Sequence, residues 1–332
     1  MKKPTFPSRR QILTLAASLT TVSALPAAAQ TASYPSKPIT IVSAYPAGGD
    51  TDALARMFAD KLSARLGQPV VVENRLGAGG MIGSAYVAKA APDGYTLLLA
   101  PNTFVITPHV IQGSPATQYD PVKDFTPIID IGGVSLFVVV STASGITSLK
   151  DLVAQAKAGK VKSYASPGYG SPMHILAELF DKSAGTKIEQ IPYKGSAPAV
   201  IDLVGGQIPL MYSTLGPVMP FIKSGKLVAL AVADPQRSPF LPDVPTLAEL
   251  GYQGADVGGW QALVGPKGMR ADLVQLLNKH CNEILKMPDV VARMANIAMV
   301  PTGGNAARLA QIVSSEYERY GKIVKEFGIR SE

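Results

Sequence analysis

Three glycine-rich stretches carry most of the chemistry this sequence offers. Ala47-Gly48-Gly49-Asp50-Thr51 and Gly77-Ala78-Gly79-Gly80 each sit between a β-branched run and a helical pattern. Ser166-Pro167-Gly168-Tyr169-Gly170-Ser171-Pro172-Met173-His174 is placed in the same way further along. A helix start presents unpaired backbone N–H groups and a partial positive charge. Glycine lets a ligand approach that backbone closely, so such loops hold a carboxylate without any arginine. Taken singly, a Gly-Gly loop reads as a tight strand-to-helix turn; two in consecutive units favour a binding site. The candidate ligand contacts are Ala47, Gly48, Gly49, Asp50, Thr51, Gly77, Ala78, Gly79 and Asn102 in the first part of the chain. Ser166, Gly170, Ser171, His174 and Ser213 complete the set further on. His174, in a first helical turn, reads rather as a hydrogen-bonded structural histidine. Asp50 and Asp52 read as helix caps rather than metal ligands. Because an acid repels an anion, Asp50 is expected to point away or to meet a polar group of the ligand.

The elements that position these loops alternate. Ile39 to Tyr45, Val70 to Asn74 and Tyr95 to Ala100 read as strands. Leu54, Met57, Phe58, Leu62 and Leu66 fall on one helical face, with Asp50, Thr51 or Asp52 able to cap its start and Gly67 its end. Met81 to Ala91 is a second helix. Strands separated by helices imply a parallel sheet with βαβ crossovers, and the first two glycine loops then emerge at one end of that sheet, where such folds bind ligands. Later strands fit Ser135–Val140, Val161–Ala165, Leu210–Ser213, Lys226–Val232 and Gln261–Val264. Later helices fit Leu149–Ala158, Met173–Ser183, Pro198–Gly205, Pro217–Ser224, Ala271–Lys286 and Ala306–Phe327.

Several chemistries are disfavoured. The three histidines lie far apart and no His-Glu-x-x-His occurs. Gly168-Tyr169-Gly170-Ser171-Pro172 fails the nucleophile-elbow pattern at its middle position. The third glycine of Gly77-Ala78-Gly79-Gly80-Met81-Ile82-Gly83 comes one place late for a dinucleotide fingerprint. No metal and no cofactor is expected. Cys281, the single cysteine, lies in a helical pattern and reads as a buried structural thiol. Trp260, the single tryptophan, reads as packing at a crossover between lobes rather than stacking on a ligand.

The chain has 332 residues, 47% hydrophobic and 17% charged, a globular composition. Its net charge of +7 is concentrated at the start. Lys2, Lys3, Arg9 and Arg10 precede any acid, and without them 27 basic and 24 acidic residues remain. With no clustered basic face, no nucleic-acid partner is expected. Residues 1–29 read as a signal peptide, with an apolar stretch from Ile12 to Leu25 and cleavage after Ala29. Arg9-Arg10 just before the apolar stretch fits twin-arginine export, the alternative being the general secretory route. The expected location is the periplasm.

The same residues resemble the substrate-binding component of tripartite tricarboxylate transporters, the Bug (Bordetella uptake gene) family. The resemblance rests on an ordered series: Tyr34-Pro35-Ser36-Lys37-Pro38-Ile39, Tyr45-Pro46-Ala47-Gly48-Gly49 with Asp52 and Ala55-Arg56, Glu73-Asn74-Arg75, and Ala91-Pro92-Asp93-Gly94-Tyr95. Pro192-Tyr193-Lys194-Gly195, Asp202 to Gln207, and Pro242-Asp243-Val244-Pro245-Thr246 continue it. It implies an α/β type II periplasmic-binding-protein fold, in which two hinged lobes close on ligand like a flytrap. Lobe 1 would take residues 30–133 and 259–332, and lobe 2 residues 134–258, with crossovers near Gly133-Val134 and Gly258-Gly259. It further implies carboxylate binding at the first loop and delivery to inner-membrane permease subunits, with no catalysis. A monomer is expected. Many relatives carry an Asp where this chain has Met211-Tyr212-Ser213-Thr214. That departure favours a plain mono- or dicarboxylate over an amino acid, and Tyr212 suggests an aromatic one. Two rival readings are a ligand-presenting partner of a histidine kinase and a periplasmic hydrolase built on Ser171 and His174.

Overall fold

The computed structural model describes residues 34–111, 114–193 and 195–330; the expected signal peptide lies outside them. The architecture is α/β and two-lobed, built on two sheets. β1 (Ile39–Ser43) is flanked by β2 (Val70–Asn74) and β3 (Thr96–Pro101), all parallel. β4 (Phe125–Val134), β10 (Gly259–Pro266) and β11 (Met299–Pro301) extend this sheet in the order β11-β4-β10-β3-β1-β2. The second sheet holds β5 (Leu136–Ser141), β6 (Ser163–Ser166), β7 (Glu189–Pro192), β8 (Leu210–Thr214) and β9 (Leu227–Val232), in the order β7-β6-β8-β5-β9.

The expected parallel sheet is therefore mixed. β10 runs antiparallel to both β3 and β4, and β5 antiparallel to both β8 and β9. Only Ser135 separates β4 from β5, and a longer segment after β9 returns the chain to β10 in the first sheet. β4 was not legible as a strand because Pro127, Asp130 and Gly132-Gly133 break its pattern. Its pairing with β10 absorbs them through two register shifts.

Ten α-helices and two single-turn 3-10 helices, Ala78–Gly80 and Thr142–Ser144, complete the described residues. α1 (Asp50–Leu66) follows β1, α2 (Met81–Ala88) follows β2 and α3 (Thr103–Val110) follows β3. α4 (Leu149–Lys157), α5 (Pro172–Ala184), α6 (Ser196–Val204) and α7 (Leu215–Lys223) belong to the second sheet's part of the chain. α8 (Ala271–Ile284), α9 (Pro288–Asn296) and α10 (Ala306–Phe327) close it. α1 ends at Gly67, whose φ of 67° is left-handed and whose N–H reaches Ser63 O. α4 and α10 start on side-chain caps, Ser148 and Asn305. α3 and α9 went unrecognised in the sequence: α3 carries Pro108 and has no clear apolar period.

One cluster of buried apolar side chains runs through both sheets, with Val42, Leu98 and Val264 from the first and Val138, Val140 and Tyr212 from the second. All six residues of β5 are buried. Each such aliphatic or aromatic side chain contributes about 1.5–3 kcal/mol, so β5 anchors its sheet. α10 packs on β4 and α3, reaches α5 through Lys182–Glu326, and reaches the segment before β10 through Arg319–Asp256.

Cys281 is fully buried, and burial pushes its thiol up to about 12. A thiol reagent at pH 8 is therefore expected to leave native protein unmodified and to label it at once in denaturant; rapid labelling of native protein would contradict this placement.

Asp130 on β4 is also buried. Its Oδ1 has no hydrogen-bond partner among the described residues, and Arg308 Nη2 stands 4.0 Å from Oδ2. Burial raises its carboxyl to about 6, against the partial relief that Arg308 gives. A carboxyl raised above its unfolded value stabilises the fold below about pH 4 and loses that contribution as pH climbs through about 6. Asp130→Asn is accordingly expected to gain about 2–3 kcal/mol over the parent at pH 8 and almost nothing at pH 4. Denaturant melts at the two pH values measure this, and an equal or negative effect at pH 8 would refute it.

Candidate functional site

A cavity of about 670 Å³ lies between the two sheets' ends. The starts of five helices line it: Gly49-Asp50-Thr51 of α1, Asn102-Thr103 of α3, Ser171-Pro172-Met173 of α5, Gly195-Ser196-Ala197 of α6 and Thr214 of α7. At α1, α3, α6 and α7 no side chain caps the first turn. Their leading N–H groups are therefore free for a ligand. Among the described residues no Lys, Arg or His lines the cavity, and Asp50 is the one charged side chain that does. Among the described residues, positive potential in the cavity thus comes from the helix starts.

The first loop is fixed from behind. Asp52, buried in the first turn of α1, accepts the Gly48 N–H at 3.0 Å, Asn74 Nδ2 at 2.8 Å and both Arg56 Nε at 2.9 Å and Nη2 at 3.0 Å. Arg56 first, then Gly48 and Asn74, hold its carboxyl down at about 2 against the opposing effect of desolvation. None of the three expected side-chain caps forms: the N-cap is Gly49, and Asp52 reaches back to Gly48 instead. Thr51 Oγ1 accepts Gln261 Nε2 at 3.1 Å and donates to Gln261 Oε1 at 3.4 Å, which fixes the threonine at the cavity wall.

The second loop is mainly a support. Tyr45 lies against the cavity, donates to Gly79 O at 3.0 Å and contacts Thr103 Oγ1, tying both loops to α3. Burial pushes its phenol up to about 12, so it remains a donor at neutral pH. Gly80 has a φ of +94°, and a Cβ there would lie 2.9 Å from the Tyr45 hydroxyl. Of this loop only Gly79 lines the cavity; Gly77 and Ala78 do not, and a Cβ on Gly77 would strike Ile82.

The third loop closes the other side with Gly170 and Ser171. Ser171 Oγ donates to Gly168 O at 2.8 Å and accepts the His174 N–H at 3.2 Å. His174 is buried beneath the lining, and its Nδ1 accepts the Gly170 N–H at 3.1 Å. The ring proton then sits on Nε2, which faces Glu178 at 3.4 Å. Both ring nitrogens are thus committed elsewhere than to Ser171 Oγ, the reverse of what a Ser–His nucleophile needs. Ser166 and Ser213 are fully buried; Ser166 bonds Gly168 and accepts from Gln190 Nε2, and Ser213 donates to Thr214 O. Asn102 lines the cavity while its Nδ2 donates to Gly258 O at 3.0 Å, joining α3 to the crossover. The structure thus brings Ala47, Gly48, Gly49, Asp50, Thr51, Gly79, Asn102, Gly170 and Ser171 to one cavity, leaves Gly77 and Ala78 exposed outside it, and buries Ser166, His174 and Ser213 behind its surface.

Tyr212 does not face this cavity. It is fully buried against Tyr164 at 5.1 Å and Phe180 at 6.3 Å, so it offers an aromatic ligand nothing. Trp260 does line it, besides packing at the crossover, and its Nε1 donates to Glu316 on α10. Tyr45, Tyr169 and Gln261 also line the cavity; Tyr45 adjoins the first loop and Tyr169 lies within the third, whereas Gln261 carries no local signal.

A two-lobed frame with helix starts around one central cavity is matched by known proteins. The model of the tripartite tricarboxylate transporter family receptor fits residues 54–329. The chain belongs to this family. Protein BugT of Bordetella pertussis (strain Tohama I / ATCC BAA-589 / NCTC 13251) is 40% identical over 309 residues, covering 92% of this chain and 94% of BugT. A solved R. palustris protein with adipate is 33% identical with a TM-score of 0.80, covering 90% of this chain and 100% of the other. MatC from Rhodopseudomonas palustris with bound malate is 30% identical with a TM-score of 0.76, covering 88% and 100%. As a member of the family the chain is a solute-binding protein.

Proposed function

We propose that the protein captures a small organic carboxylate in the periplasm and delivers it to the membrane subunits of a tripartite tricarboxylate-type transporter, acting as a monomer and performing no chemistry. The observation that carries this reading is the set of uncapped helix starts around a cavity without a described cationic side chain. Backbone N–H groups and helix dipoles at such starts recognise a carboxylate without a formal positive charge. Adipate and malate in the two solved relatives support the ligand class. The signal peptide over residues 1–29, twin-arginine export and cleavage after Ala29 belong to the same reading. So do lobe boundaries at residues 133/134 and 258/259, and closure driven by tighter binding to the closed form. The direct contacts we assign are Gly48, Gly49, Thr51, Gly79, Gly170 and Ser171. His174 acts through Gly170.

A thermal-shift screen of ligand-free protein against mono-, di- and tricarboxylates tests the reading. A ligand at about 100 times its dissociation constant stabilises by roughly 2.7 kcal/mol. A selective rise in Tm with a carboxylate is expected; no rise with any of them would overturn it.

A further inference from the structure

We propose that the cleft selects monocarboxylates with an apolar body over dicarboxylates, and that Asp50 is the residue that rejects the second carboxylate. The inference rests on the carboxylate-binding reading and narrows it.

The charge balance of the cavity carries it. Asp50 is the first residue of α1, half-buried, and lines the cavity. Its carboxylate has no hydrogen-bond or ion-pair partner among the described residues, whereas Asp52, two residues on, is fully engaged. Among the described residues no Lys, Arg or His stands on the walls, and the helix starts are what offset the negative charge of Asp50 and ligand together. A monocarboxylate brings that total to two negative charges and a dicarboxylate to three, all within one cavity of about 670 Å³. Like charges held close together in a half-buried site oppose each other well beyond their effect in water.

The wall also carries a broad apolar face. Val110, Ile111, Leu136, Tyr169, Met173 and Trp260 present apolar or aromatic surface to the cavity. Tyr169 remains 45% exposed, leaving an aromatic face free to cover a ligand. Such a wall favours a hydrocarbon or aromatic body and disfavours a charged end that must shed its water. Burial raises the Asp50 carboxyl above its usual value, in keeping with a site already short of compensating charge.

Calorimetric titration of the parent and Asp50→Asn with hexanoate, benzoate, adipate and malate tests the proposal, with Tm values confirming that both are folded. The parent is expected to bind hexanoate or benzoate at least ~10-fold more tightly than adipate and malate. Asp50→Asn is expected to tighten the dicarboxylates by ~10-fold or more, a factor of ten being about 1.4 kcal/mol, and the monocarboxylates by much less. A parent that prefers adipate or malate, or a preference that Asp50→Asn leaves unchanged, overturns the inference while leaving carboxylate binding intact. Failure of all four acids to bind either protein, together with no carboxylate that raises Tm in the thermal-shift screen, would overturn both.

Discussion

Gly170→Ala is expected to weaken ligand binding by roughly tenfold to a hundredfold while leaving a folded protein. Gly170 sits in the loop after β6, and Val110 ends α3 on the other sheet's side of the cavity. A Cβ on Gly170 would fall 2.8 Å from both methyl groups of Val110, which is itself only 2% exposed and has little room to yield. Gly170 also has a φ of +68°, so alanine there carries left-handed strain of about 1–2 kcal/mol. That strain acts whether or not ligand is present and lowers stability. The clash acts only where the two sides meet, so in the proposed flytrap it opposes closure, and overpacking of this kind costs about 1–3 kcal/mol. Val110→Ala should restore much of the affinity in the double variant, because it removes both methyls. Unchanged binding by Gly170→Ala, or no rescue in the double variant, would show that this contact does not limit closure.

The second large effect is expected at Asp52. Asp52→Ala should destabilise the protein by about 2–3 kcal/mol at pH 7, because the Gly48 N–H, Asn74 and Arg56 lose a shared buried acceptor. The Arg56 side chain is 54% exposed, so water recovers much of its share. The larger part of the loss comes from the buried carboxylate's bonds to Gly48 and Asn74. Because the carboxyl is held near 2, below its usual value, this stabilisation is present above about pH 4 and fades as pH falls towards 2. The gap between parent and variant in denaturant melts should therefore narrow at pH 3. A gap of the same size at pH 3 and pH 7 would contradict the ionic account. Binding should weaken too, since Gly48 would no longer be held in place.

How far the sequence foretold this molecule depended on whether a signal was local. Leu54, Met57, Phe58 and Leu62 announced α1, and all four are buried. Ala306–Phe327 was recovered to the residue as α10. β4, β7 and β11 were lost; in β4, Pro127, Asp130 and Gly132 carry no strand pattern of their own and depend on β10 and β11 for pairing. The site divides along the same line. The glycine loops were visible, yet which glycine lines the cavity and which turns the chain is decided by distant side chains: Tyr45 over Gly80, and Val110 against Gly170. Tyr212 was misjudged because its side chain packs into the core against Tyr164 and Phe180, while Thr214, two residues on and on the same face, reaches the cavity because it stands at the strand's end. The missed Gln261 lies 210 residues from the Thr51 it bonds, a separation that no local pattern bridges.

The most direct test of backbone recognition of a carboxylate uses Trp260, the only tryptophan in the chain and part of the cavity wall. The best carboxylate from the thermal screen and its primary amide, which matches it in shape but lacks the charge, are titrated while tryptophan fluorescence is followed. The acid should give a saturable change and the amide at least ~100-fold weaker binding, since about 2.7 kcal/mol separates them if the helix starts bind the anion. Equal binding of acid and amide would contradict the account.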